Sequence, residues 1–126
     1  MSFTVGDHSA GHVRRIVRAY LRLWDMTELA DAAELAVTEL LANVVRHVPD
    51  RRCSVLVVRR PDGLRVEVAD GEPGRPIVQT AGAYDESGRG LALLSAVVDT
   101  WGVAAAPEGG KTVWFECVSA AAPAPS

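Results

Sequence analysis

No apolar run in this chain approaches the roughly 20 residues needed to cross a bilayer, which excludes a helical membrane span. A membrane is therefore not an expected partner. The N-terminus has no basic start followed by an apolar stretch, so no secretory leader is expected and the expected compartment is the cytoplasm. A surplus of positive charge is missing too. The formal net charge is -3, which argues against nucleic acid as a partner, because phosphate neutralisation takes clustered Lys and Arg. Arg14, Arg15, Arg18 and Arg22 do form a basic helix face. A solvated face is its simpler reading, and a partner contact is the alternative. Cysteine is scarce. Cys53 and Cys117 fall in predicted strands, match no metal spacing and read as buried thiols. His8, His12 and His47 do not make a ligand set with each other. Ser54 and Ser87 lack a nearby histidine and a nucleophile-elbow pattern, which leaves a nucleophilic triad unsupported. Gly109-Gly110-Lys111-Thr112 lacks the leading glycine of a phosphate loop and precedes a strand, so that reading is excluded as well.

What remains is an ordinary globular composition in 126 residues, enough for one domain with its own core. Residues 1–119 are read as that domain, and the Ala/Pro-rich residues 120–126 as a disordered tail. Phe3-Thr4-Val5 suits a short first strand. Val13, Ile16, Val17, Tyr20, Leu21 and Trp24 recur at helical spacing, predicting an amphipathic helix from about Ser9, a cap candidate, to Trp24. A second helix is expected from a Thr27 cap, carrying Leu29, Ala33, Ala36, Val37, Leu40, Leu41, Val44 and Val48, and stopping before Pro49. Cys53 to Val58 reads as a strand, Pro61-Asp62-Gly63 as a hairpin turn, and Leu64, Val66 and Val68 as the alternating face of its partner. The stretch from Gly71 to Ser87 is irregular, and loops of that length are usually functional. An apolar helix over Gly90 to Val98 and strands over Trp101 to Ala104 and Thr112 to Val118 complete the order. The expected class is α+β: a two-layer α/β sandwich with a mixed sheet and helices on one face.

Polar residues interrupt this pattern in a few places. Glu39, Asn43 and His47 are four apart on the second helix and share a slowly drifting face. A carboxylate beside such a core must be solvated, paired or functional. The functional reading makes Glu39 a general base and Asn43 an oxygen ligand for Mg²⁺. Spacing alone favours an exposed polar stripe with no task. Asp70, followed by Gly71, ends a strand where its carboxylate can accept from the exocyclic amine of a base, or simply stop the strand. Gly88-Arg89-Gly90-Leu91 opens a helix. Glycines there admit close approach of a ligand, helix-start amides favour phosphate, and Arg89 can add a charged contact. Thr112, at a strand start, has a hydroxyl that can reach a bound base, or is only a β-branched strand former.

Taken in order, these segments resemble the GHKL ATPases, the superfamily of gyrase, heat-shock chaperone, histidine-kinase and mismatch-repair ATPase domains. The small stand-alone branch, the anti-sigma factor serine/threonine kinases, is the most similar. Residues 35–43, Leu-Ala-Val-Thr-Glu-Leu-Leu-Ala-Asn, resemble the family's N box. That match implies Glu39 as catalytic base and Asn43 as Mg²⁺ ligand. Val68-Ala69-Asp70-Gly71 resembles the first glycine box, which implies Asp70 against the adenine amino group. Gly88 to Leu93 resembles the second glycine box, with backbone amides on the phosphates. Residues 110–115 resemble the closing strand motif, with Thr112 near adenine, and Glu72 to Ser87 becomes the nucleotide lid. The first glycine box departs from the pattern, because Glu72 and Pro73 precede the next glycine, Gly74.

The resemblance implies the Bergerat ATP-binding fold, with ATP and Mg²⁺ as cofactors. The expected activity is protein serine/threonine kinase chemistry on a small antagonist protein. The expected partners are a sigma factor, that antagonist, or both, and a homodimer is allowed. With no phospho-accepting helix ahead of the module and no transducer domain after it, a sensor kinase or gyrase-like machine is not expected. The alternative is a non-catalytic ATP-binding module that sequesters a sigma factor or another regulatory partner.

Overall fold

Three buried valine and leucine side chains decide where the first helix lies. Val13, Val17 and Leu21 are spaced four apart on helix α1 (Ser9–Leu23), and all are buried. The computed structural model describes residues 1–71, 93–106 and 109–119. Ser9 does not cap α1: its hydroxyl accepts from the Gly6 N–H at 2.8 Å and braces the preceding turn, while His8 holds the cap position without a side-chain bond. The helix ends where Asp25 takes a left-handed backbone (φ 57°) and the Met26 N–H bonds the Leu21 carbonyl at 2.8 Å, a closure that satisfies an otherwise orphan acceptor.

The second helix is entered through a 3₁₀ turn at Thr27–Leu29, so Thr27 opens that turn and does not cap the helix. Helix α2 (Ala30–His47) buries Ala33, Ala36, Val37, Leu40, Leu41 and Val44, mostly on one stripe. It stops at Val48, which is extended, as the residue before Pro49 must be. Small alanines along the stripe let α2 lie close against α1 and against the sheet.

The strands are β1 (Ser2–Thr4), β2 (Arg52–Arg60), β3 (Gly63–Asp70), β4 (Thr100–Ala105) and β5 (Lys111–Val118). They form one sheet in the order β1-β2-β3-β5-β4. The α+β class and two-layer sandwich are as expected from the sequence, with one correction. Every pairing among the described strands is antiparallel, where a mixed sheet was expected. Two local hairpins enforce this. Pro61-Asp62 joins β2 to β3, and the Ala106 N–H to Gly110 carbonyl bond, 3.1 Å, folds β4 back along β5.

The inner face of the sheet carries Val55, Leu64, Val66, Val68, Val113, Phe115 and Cys117, all buried in one core with the α1 and α2 stripes. Leu94, in the helical residues 93–97, joins the same core. The outer face is polar and cross-linked. Arg65 bonds Glu67 (2.7 Å) and Glu116 (3.0 Å), and its guanidinium lies 4.2 Å from the centre of the Trp114 ring. None of the described helices is long and apolar enough to cross a membrane.

Candidate nucleotide site

The site begins with Asn43. The α2 stripe turns this residue inward among Leu40, Leu41 and Val44, and it is buried with only 5% of its surface exposed. Its Oδ1 has no hydrogen-bond partner among the described residues. A buried amide oxygen left unpaired costs about 1–3 kcal/mol, a cost that a bound water or ligand would offset. An amide oxygen is a hard donor of the kind Mg²⁺ takes, so the donor chemistry fits that ion. Glu39 lies one turn earlier on α2 and is half-buried. None of the ion pairs among the described residues uses it.

Across the layer interface, α2 packs on β3 and β5. Asp70 is the last residue of β3 and Lys111 the first of β5, and they stand opposite each other in register. Strand alternation turns both side chains to the helix side, continuing Val68 and Val113. They form a 2.9 Å ion pair, with side chains 3% and 5% exposed respectively. Cys53 of β2 lies close enough that burial first, and the Asp70 charge second, push its thiol up to about 11. Gly110 makes the β3–β5 closure possible. Its φ is +86°, and a Cβ there would meet the Asp70 carbonyl oxygen at 2.2 Å. A cleft of about 310 Å³ opens beside Asp70 and Gly71, with Phe3, Cys53 and Ser54 in its wall. Larger hollows, of about 450 and 610 Å³, lie at the start of α1 and along its outer side, and neither is lined by Glu39, Asn43 or Asp70.

Thr112 is a different matter. It pairs with Ala69, is half-buried and faces the opposite side of the sheet from Asp70. The β5 side chain beside Asp70 is therefore that of Lys111, not Thr112. Sequence reading passed over Lys111, although counting back from Cys117, Phe115 and Val113 by twos puts it on the inner face. The remaining candidates, Gly88, Arg89, Gly90 and Leu91, lie outside the described residues, as do the lid Glu72 to Ser87 and the tail 120–126.

The order of the pieces, an N-box helix over an antiparallel sheet with an acid at a strand end, has a known counterpart. Residues 4–117 match the histidine kinase-like ATPase domain. The chain belongs to that family. It is also 42% identical over 71 residues to an uncharacterized protein of Streptomyces coelicolor, a stretch covering 53% of this chain and 68% of that protein. Membership makes this an ATP-binding domain of regulatory type.

Proposed function

We propose that this histidine kinase-like ATPase domain is a protein serine/threonine kinase of the anti-sigma factor type, acting on a small antagonist protein with Mg²⁺-ATP. The observation that carries the reading is the buried Asn43 Oδ1, which has no partner among the described residues and lies one helical turn from a half-buried carboxylate that forms no ion pair with them.

Asn43 would hold Mg²⁺ through Oδ1, and Asp70 would accept from the adenine 6-amino group. When bound, Mg²⁺-ATP supplies the electrophilic γ-phosphorus and neutralises charge on the phosphates. Glu39 accepts the proton of the substrate hydroxyl as that oxygen bonds to phosphorus and the β–γ bridging oxygen leaves with ADP. The half-buried position of Glu39 keeps its carboxylate within reach of water and of a docked hydroxyl.

The rival reading, ATP as a structural or switching ligand of a sequestering module, drew on the basic face of α1. Two of those arginines are used inside the molecule. Arg14 donates to the Thr38 hydroxyl at 3.1 Å, and Arg18 pairs with Glu34, both on α2. The test is transfer of labelled γ-phosphate to a serine-bearing antagonist protein. Glu39→Gln should slow transfer by about 10²–10⁴-fold, the usual worth of a positioned general base. Undiminished transfer in that variant removes Glu39 from the role.

A further inference from the structure

Helix α1 and strand β2 carry no Asp or Glu, yet they hold four and three of the chain's 13 basic residues. Arg14 and Arg18 are spent on α2. Arg15 and Arg22 are exposed, and no ion pair among the described residues uses either. Arg59 is exposed as well, its guanidinium 5.9 Å from the centre of the Trp24 ring.

These cations rim the apolar hollow of about 610 Å³ along the outer side of α1. Ile16, Tyr20 and Leu23 form its helix wall, and Met1, Val55 and Val57 its strand wall. Leu23 is 76% exposed, an unusual position for so apolar a side chain. Arg15 and Arg22 share a helix face with Ala19, which also lines the hollow. The strand side is an open sheet edge. Strand β1 covers β2 only as far as Val55, which exchanges both backbone bonds with Met1, at 2.7 and 2.8 Å. Alternate residues of an antiparallel strand address the same edge, so Val57 and Arg59 turn their N–H and C=O groups outward there. Among the described residues no strand pairs with them on that side.

An edge of this kind is a template for a further strand, and its charges decide which strand. A second copy would set the same arginines against one another, because a two-fold contact brings one patch onto itself. A strand bearing carboxylates meets three uncommitted guanidinium groups instead. We propose that the free half of β2 and the α1 hollow form a docking surface for an extended, acidic segment of a partner protein. The segment adds antiparallel to β2 through backbone bonds to Val57 and Arg59. Its apolar side chains, at every second position, enter the hollow, and its carboxylates meet the arginine rim. None of the residues on this surface lines the cleft beside Asp70, so the inference stands apart from the nucleotide reading.

The experiment is fluorescence anisotropy of a labelled peptide alternating Glu and Leu, titrated with the full chain. Saturable binding with a Kd below about 1 mM is expected. The same peptide with Lys in place of Glu should bind at least about tenfold more weakly, since the rim repels it. Residues directly opposite in an antiparallel pair share a face, so Leu stands opposite Val57 and donates its N–H to β2. Methylating the Leu nitrogens should therefore weaken binding about tenfold, while methylating the Glu nitrogens leaves it nearly unchanged. Leu23→Glu and Arg59→Glu, both at exposed positions, should keep the fold and each cut affinity about tenfold. A folded chain that does not bind the Glu peptide overturns the proposal, as does unchanged affinity in both variants. Equal binding of the Glu and Lys peptides overturns the acidic occupant, and equal binding of the two methylated peptides overturns strand addition. A wild-type dimer that Leu23→Glu turns into a monomer in sedimentation assigns the face to a second copy and overturns the proposal too.

Discussion

On the proposed reading, Asn43 trades folding stability for a ligand. Its Oδ1 is buried without a partner among the described residues, and truncation removes that oxygen together with a few packed atoms. The two effects oppose each other, the first relieving about 1–3 kcal/mol of desolvation and the second costing a comparable amount of packing. Asn43→Ala is therefore expected to change unfolding free energy by no more than about 1 kcal/mol in denaturant titration, far less than an ordinary buried substitution. The same variant should lose most of the Mg²⁺ dependence of ATP affinity, with binding in excess chelator unchanged. A large loss of stability, or a Mg²⁺ response equal to the wild type, would mean that Oδ1 has a structural task. At Asp70 the contrast is instructive. Its carboxylate is held by Lys111 at 2.9 Å, so Lys111→Met should destabilise by about 3–5 kcal/mol through loss of a buried charge partner. Lys111→Met/Asp70→Asn should recover part of that loss in the same denaturant titration.

At the scale of elements, the closure of β5 onto β3 is the joint on which the Asp70–Lys111 pair depends. Gly110 sits at φ +86° with the Asp70 carbonyl where a Cβ would be. A left-handed backbone costs a non-glycine residue about 1–2 kcal/mol before any clash is counted. Gly110→Ala is expected to lower stability by more than about 2 kcal/mol, measured by denaturant titration, and to weaken nucleotide binding by displacing Asp70 and Lys111 together. Helix α2 was legible except at its start, because its stripe from Ala33 to Val44 repeats at helical period and Pro49 marks its stop, whereas Thr27–Leu29 form a 3₁₀ turn. The β2–β3 hairpin was equally plain from Pro61-Asp62-Gly63 and the alternation of Leu64, Val66 and Val68. The start of β5 was not. Thr112 drew the role of base contact because a hydroxyl at a strand start can reach a bound base and because residues 110–115 resemble the closing strand motif, whereas Lys111 drew no role. One residue of offset reverses the face of the sheet, and counting back by twos from Phe115 and Val113 is what puts Lys111 inward, opposite Asp70. Capping was misread for a related reason. Ser9 and Thr27 have the right side chains, but the turns before the helices take their hydroxyls or their backbone elsewhere.

For the whole molecule, the core imposes a pH limit through its two thiols. Cys53 and Cys117 are both buried and free. Burial raises Cys117 to about 12, with the Asp99 charge a smaller cause, and burial with Asp70 raises Cys53 to about 11. In the unfolded chain both titrate near the ordinary 9.0. Below pH 9 folded and unfolded forms hold the same protons on these groups, and their contribution is fully present. Between pH 9 and about 11 for Cys53, or about 12 for Cys117, the unfolded chain releases protons that the native core retains, so stability falls as pH rises. Unfolding free energy is therefore expected to be flat with respect to these thiols from pH 7 to 9 and to decline above it. Cys53→Ala/Cys117→Ala should start lower at neutral pH, from lost packing, yet show a shallower alkaline limb. Parallel alkaline limbs in the two proteins would place the titration in other groups. The same burial keeps the thiolate fraction low at working pH, so a thiol reagent at pH 8 should leave the native protein unmodified and label both cysteines once it unfolds. Fast native labelling of Cys53 alone would show that the cleft beside Asp70 opens to solvent more readily than its walls suggest.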